Sequence, residues 1–478
     1  MKLIKTILAN GAASAMSLEE IIKNEISEWK NSEEYKLMLE SQKYYKNDAD
    51  ILKRERMTIG DSGNLEKVHN LASNKLAHGF LKKLVDQKTG YLLSKPMSIQ
   101  TDNEQYQEIL QDYFNKSMLR LIQNIGKEAV IKGKAWLHVY YNEKGNLSFK
   151  RIPSEEIIPL WKDQDHTELD AVIRVYQVEA YEGRIKKDIT KVEFWSPEGV
   201  QRYVYDGNLI PDVEMGDRAS HFVVIDQENK EQPANWEKVP FICFKYNNEE
   251  ISLLKFIKSL IDDYDKRKSD NSNNLEDLPN SIYVVKNYSN TQGGEFRKNI
   301  SQYRVVFTDE NGGVDSVNIE INTEAYKNHM EMNRKDIYEF GRGVDTQGEE
   351  FGNIPSGIAL KFLYADLDMD ANTIESEFQA SLEQLLWFIN THIANTTGID
   401  YSEEAVDFIF NRDILINESN VITDIKNSVG ILSDETLIAN HPYVTDVKEE
   451  LERIKKQRKE NMITYPPNFD PGGVDDEE

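Results

Sequence analysis

Apolar residues recur at three- and four-residue spacing along most of this chain, and the places where that period fails mark its organisation. Leu18, Ile21, Ile22, Ile26 and Trp29 predict an opening helix, started by a capping box of Ser17 and Glu20. A polar helical stretch over 33–56 follows, with Tyr35, Leu39, Tyr44 and Tyr45 interleaved; its Lys43, Lys46, Lys53, Arg54 and Arg56 read as a solvated face. Leu71, Leu76, Phe80, Leu84 and Val85 predict a helix over 70–91 that ends at Gly90, before an extended 92–99, and a further helix spans 103–130. At Gly133 the period changes to alternation. Residues 135–141 and 147–152 flank a glycine-containing turn and predict a hairpin, with more short strands at 171–178, 192–195, 200–205, 222–225 and 239–244.

The second half returns to the helical period. Ile251, Leu254, Ile257, Leu260, Ile261 and Tyr264 form one stripe of a helix closed by Pro279. Strands at 282–286, 303–308 and 317–321, with a short helix at 295–300 and a turn at Asn311-Gly312-Gly313, predict a compact knob at the tip of a helical hairpin. The hairpin's other arm carries Tyr326, Met330, Asn333, Ile337, Phe340 and Val344, with Asn322 as its N-cap. Gly341, Gly343, Gly348 and Gly352, then Pro355 and Gly357, interrupt it, so 345–356 is expected to be a mobile loop. Leu360, Leu363, Leu367, Ile374, Phe378, Leu382, Leu385, Leu386 and Ile389 then mark a long helix. A strand at 405–410, short helices at 417–429 and 434–438, and a charged helix led by Val444, Val447, Leu451 and Ile454 complete the pattern. The expected fold class is multi-domain α+β, mainly helical.

With 478 residues the chain can divide into roughly two to four folding units, and 39% hydrophobic with 29% charged residues leaves much surface for solvent or other chains. A net charge of −26 argues against wrapping nucleic acid by phosphate neutralisation, yet an acidic wall is suited to letting DNA slide past. The single Cys243 excludes an intrachain disulfide and a thiolate metal cluster, and points to a reducing compartment. The first 16 residues hold a small-residue run, but Lys5 and Asn10 break the apolar core of a signal peptide, and no apolar run reaches membrane-spanning length. The phosphate-cradling Gly-x-x-x-x-Gly-Lys motif, His-Glu-x-x-His and Gly-x-Ser-x-Gly are absent, so no catalytic residue and no cofactor is assigned. Asp366, Asp368 and Asp370, with Glu377, match a calcium loop in spacing. Ala371 holds the turn position that wants glycine, and the helical period runs straight through; a helix fans the three carboxylates apart, so no metal is assigned and the triplet reads as a solvated or channel-facing acidic band.

Three runs carry a family resemblance: Asn74-Lys75-Leu76 through Asp86-Gln87-Lys88-Thr89-Gly90-Tyr91-Leu92-Leu93-Ser94-Lys95-Pro96; Pro240-Phe241 to Asn247-Asn248 with Leu260-Ile261-Asp262-Asp263-Tyr264-Asp265; and Pro355-Ser356-Gly357-Ile358-Ala359-Leu360-Lys361. In this order the chain resembles the SPP1-type portal proteins of tailed bacteriophages. The resemblance implies a homo-oligomeric ring, of twelve subunits, at one capsid vertex of the virion, assembled in the host cytoplasm. Double-stranded DNA passes through it during packaging and ejection without sequence specificity. It also implies docking of the terminase motor and of head-completion or adaptor proteins, contact with major capsid and scaffolding proteins, no membrane, and no enzymatic activity. Mapped here, it implies a wing over 1–248, stem helices at 249–275 and 322–344, and a clip over 276–321 between them. A tunnel loop and tunnel helix follow over 345–394, then a return to the wing at 395–412, a crown over 413–465 and a disordered acidic tail at 466–478. Thr346, Gln347, Gly348, Glu349, Glu350, Phe351, Gly352 and Asn353 would form the loop at the channel. Lys361, Asp366, Asp368 and Asp370 would line the tunnel helix, with Lys361 or Arg342 giving weak phosphate contact or intersubunit ion pairs. The competing reading is an acidic oligomeric structural or adaptor protein of the virion that does not conduct DNA.

Overall fold

The computed structural model describes residues 17–464 except 60–62, 68–70, 183, 226–229, 277–280, 287–293, 296–309, 319–322, 349–361, 413–417, 440, 442 and 445–446. The expectations for the first 16 residues, the N-cap Asn322, the strand at 303–308, the run 355–361 and the tail 466–478 lie outside these residues, as does nearly all of the short helix at 295–300.

Helix α1 (Leu18–Asn31) is started by the Ser17/Glu20 capping box, and α2 (Glu33–Tyr45) follows at once, capped by Ser32. On α1, Ile22, Ile26 and Trp29 face a six-stranded sheet whose centre is the antiparallel hairpin Leu169–Glu182/Ile185–Ser196. Strand alternation divides that sheet between two cores. Ala171, Ile173 and Phe194 meet α1, whereas Val172 and Trp195 meet Trp136, Ile152 and Phe241 of a three-stranded sheet ordered Phe241–Lys245, Lys134–Tyr141, Leu147–Ile152.

The expected helix over 70–91 is half right. Helix α3 is Phe80–Leu93 and runs through Gly90, while 72–79 is extended along α6 (Leu254–Glu276). The backbone N–H groups of Asn74, Leu76 and His78 donate to the side chains of Asn273, Ser269 and Asp265, at 2.6, 3.0 and 3.0 Å. Two extended residues advance about 6.6 Å and four helical residues about 6 Å, so alternate peptides of the strap meet every fourth residue of the helix. The expected 103–130 helix is two, α4 (Glu104–Tyr113) and α5 (Lys116–Lys132), because the Asn115 side chain accepts from the Ser117 and Met118 N–H groups and starts α5 afresh.

Helix α7 (Thr323–Phe340) packs on α6, with Asp263 accepting from His329 at 2.8 Å and from Asn333 at 3.3 Å. Between them the hairpin Ser281–Lys286/Gly313–Asn318 is present, its second strand earlier than expected. Helix α8 (Ala365–Thr397) buries Leu367, Ala371, Ile374, Phe378, Leu382, Leu385, Phe388, Ile389 and Ile393 in the largest core, beside α3, α5 and α6. Asp407–Ile409 pairs with Ser98–Gln100, and α9 (Glu418–Ser428), α10 (Asp434–Ala439) and α11 (Val447–Thr464) follow as expected. No helix among the described residues is long and apolar enough to cross a membrane.

Where α5 gives way to the three-stranded sheet, Lys134 is almost completely buried and held by Glu250 at 2.6 Å and Glu34 at 2.7 Å. Burial alone would raise the Glu250 carboxyl, but Lys134, helped by a hydrogen bond from His166, lowers it from the ordinary 4.5 to about 2. A carboxyl lowered on folding contributes stability above its unfolded pKa, and that contribution is lost as pH falls toward the folded value. The melting temperature is therefore expected to fall more steeply with acidification below about pH 4.5 in the native chain than in Glu250→Gln; parallel thermal-melt profiles for the two proteins would refute this.

Candidate functional site

The end of α7 and the start of α8 flank the expected channel segment, and their geometry starts with how α7 ends. The Arg342 N–H bonds the Glu339 carbonyl at 2.9 Å and the Gly343 N–H the Tyr338 carbonyl at 2.8 Å, a Schellman closure. Its left-handed residue is Arg342, at φ 47°, and not one of the flanking glycines. Those glycines sit in close quarters: a Cβ on Gly343 would lie 2.2 Å from Leu84 Cδ2 of α3, and one on Gly341 2.5 Å from the Ile337 carbonyl oxygen and 2.7 Å from Leu84 Cδ1.

Beyond this close approach, Gln87 of α3 clasps the Val344 peptide, its Nε2 donating to the carbonyl at 3.0 Å and its Oε1 accepting from the N–H at 2.9 Å. Asp345 then accepts from Arg334 Nε and Nη2, at 2.6 and 2.8 Å, and from the Gln347 N–H at 3.1 Å. Burial pushes the Asp345 carboxyl up, but the Arg334 and Gln347 hydrogen bonds outweigh it and hold it below the usual carboxylate range. The first residues of the expected mobile loop, 345–348, thus form an anchored turn, closed by the Gly348 N–H on the Asp345 carbonyl at 3.1 Å.

Helix α8 runs unbroken through the acidic triplet, and the three carboxylates have three surroundings. Asp366 is exposed. Asp368 accepts from the Tyr91 hydroxyl and from Arg412 at 2.6 Å, while the same guanidinium reaches Glu375 at 2.7 Å and also bonds Asn372. Asp370 is buried: Lys88 Nζ donates to it at 2.7 Å and the Tyr246 hydroxyl at 3.0 Å, with an Arg342 guanidinium nitrogen 3.7 Å away. Burial and the adjoining Asp370 carboxylate push the Tyr246 hydroxyl well up, so it remains a donor.

A family model described as "Phage portal protein, SPP1 Gp6-like" matches residues 25–463. The chain belongs to this portal family. It is 30% identical over 448 residues to the portal protein of Bacillus phage SPP1, covering 92% of this chain and 87% of that one. To the portal protein of Clostridium phage phiCD119 it is 32% identical over 438 residues, covering 88% and 92% respectively. It is therefore a phage portal protein, a component of the virion capsid, in a family whose general function is to conduct DNA.

Of the residues expected at this portal's channel, the structure describes Thr346, Gln347, Gly348, Asp366, Asp368 and Asp370; Glu349, Glu350, Phe351, Gly352, Asn353 and Lys361 lie outside the described residues. Asp366 and Asp370 lie one turn apart on nearly the same helical face; Asp370 is buried against Lys88 and Tyr246 from other parts of the chain, whereas Asp366, a turn nearer the start of α8, is exposed. The sequence assigns no site role to Leu84, Gln87, Lys88 and Tyr91 on α3, nor to Tyr246 and Arg412. A usable signal was there. Gln87 and Lys88 share one helical face with Leu84 and Tyr91, and polar groups on a buried face need partners.

Proposed function

We propose that this portal forms a ring of twelve subunits at one capsid vertex, through which double-stranded DNA enters and leaves the head. The observation that carries this is the family match running from residue 25 to residue 463, which includes every helix described above except the first half of α1 and the last residue of α11. In this reading α6 and α7 are the stem and the hairpin between them part of the clip that docks the terminase motor. Residues 1–248 and 395–412 make the wing and 413–465 the crown, and head-completion, scaffolding and major capsid proteins are further partners. The chain does no chemistry on DNA; the terminase supplies the force. Residues 346–353 line the narrowest part of the channel, with Lys361, Asp366, Asp368 and Asp370 as the further lining, and the net charge of −26 keeps the wall from adhering to phosphate.

Electron microscopy of the purified full chain is expected to give rings with a central hole wide enough for a duplex. Rings closed at the centre would favour the adaptor reading. Deleting 347–353 is expected to leave the rings intact and to impair DNA packaging or retention by the phage; loss of assembly would instead put that segment in a subunit interface.

A further inference from the structure

Helix α3 touches both sides of the break between α7 and α8. Gln87 holds the departing side through the Val344 peptide, and Tyr91 holds the returning side, bonding Asp368 and stacking on Tyr364 with ring centroids 5.9 Å apart. Lys88 belongs to both sides at once. Its ammonium is 1% exposed and donates to the Arg342 carbonyl at 3.0 Å and to the Asp370 carboxylate at 2.7 Å.

We infer that Lys88 is a positioning residue that couples the end of α7 to the start of α8, so that these two roots and α3 move as one body. An ammonium has three protons to place, and here one goes to each root. Separating the roots would strand a buried cation or a buried carboxylate, and breaking such a pair is strongly unfavourable in a low-dielectric interior. The Schellman closure and the Leu84 contact prevent the departing root from sliding along α3 instead. The geometry stands on this node alone. Its consequence, that passing DNA cannot spread the roots of the channel segment, rests on the portal reading above.

The test uses spin labels on the full-length chain at Phe340→Cys and Met369→Cys, both exposed in the subunit, one on each root. Cys243 is buried and its thiol pushed up by burial, so it stays unlabelled. Labelled subunits diluted with unlabelled ones give the distance within one chain by pulsed electron resonance. A single narrow distance is expected in the parent. Lys88→Met is expected to lose it, whereas Leu385→Ala, which removes core packing away from the node, is expected to keep it. An unchanged narrow distance in Lys88→Met, a broad one in the parent, or equal broadening in Leu385→Ala would each overturn the inference. Should Lys88→Met fail to fold, Asp370→Asn is read in the same way. A parent that forms no open ring would defeat the proposed ring and its channel while leaving this distance result decisive for the node.

Discussion

Gly133→Ala is expected to destabilise the chain by roughly 4 kcal/mol or more, the far end of what single substitutions do, and to abolish soluble expression at 37 °C. Gly133 ends α5 at φ 91°, and its carbonyl accepts the Tyr246 N–H at 2.9 Å, which fixes the register of helix and sheet there. A Cβ at this position would lie 2.0 Å from the Glu250 carbonyl oxygen and 2.7 Å from its carbon. Both obstacles are backbone, and Glu250 is itself held through Lys134 and His166, so neither can step aside. The control is Gly145→Ala, at φ 78° in the turn of the neighbouring hairpin, where nothing lies within 4 Å. It should lose only about 1–2 kcal/mol, the ordinary penalty for a left-handed alanine. Chemical denaturation of both variants separates the steric part from the conformational one, and equal losses would mean that the close approach to Glu250 carries no weight.

Asp370→Ala is expected to remove about 3–5 kcal/mol, because it leaves the buried Lys88 ammonium with only the Arg342 carbonyl as hydrogen-bond partner among the described residues and takes the acceptor from the Tyr246 hydroxyl. Asp366→Ala, four residues earlier on the same helix but exposed, should stay within about 0.5 kcal/mol of the parent. Replacing the whole node by apolar groups of similar volume, with Lys88→Met, Asp370→Leu and Tyr246→Phe together, is expected to recover most of the loss, since the penalty lies in orphaning a charge and not in lacking a pair. Similar denaturation midpoints for Asp370→Ala and Asp366→Ala would show that both carboxylates are solvated.

These two sites differ in how far they could be read in advance. Gly133 stood out because the hydrophobic period changes there from helical to alternating, which requires the chain to turn, and glycine is the residue that turns without strain. Asp370 did not stand out from Asp366 and Asp368, since carboxylates at alternate positions look alike until a partner is known. The strap at 72–79 was read as helix for a related reason. Leu76, with Leu71 just before the strap, fits a helical stripe, and what overrides that preference is a ladder of acceptors on α6, nearly two hundred residues away. The division of α4 from α5 was, by contrast, locally written: Asn115 is a strong N-cap, and one cap suffices to interrupt a stripe that otherwise continues.

The sequence by itself determined the α+β class, the order of most helices and of the longer strands, the two helices that flank 345–361, and, through three short runs, the portal family. Those features depend on periodicity, caps and turn residues acting over a few positions, which a linear reading contains. Only the tertiary structure decided that α3 seats the facing ends of those two helices, that Leu84 lies against the glycines at 341 and 343, and that the acidic triplet divides into an exposed, a half-buried and a buried carboxylate. Each of these is set by which group from a distant part of the chain comes within hydrogen-bonding or van der Waals distance, and burial then turns an ordinary lysine and aspartate into a pair that neither can leave.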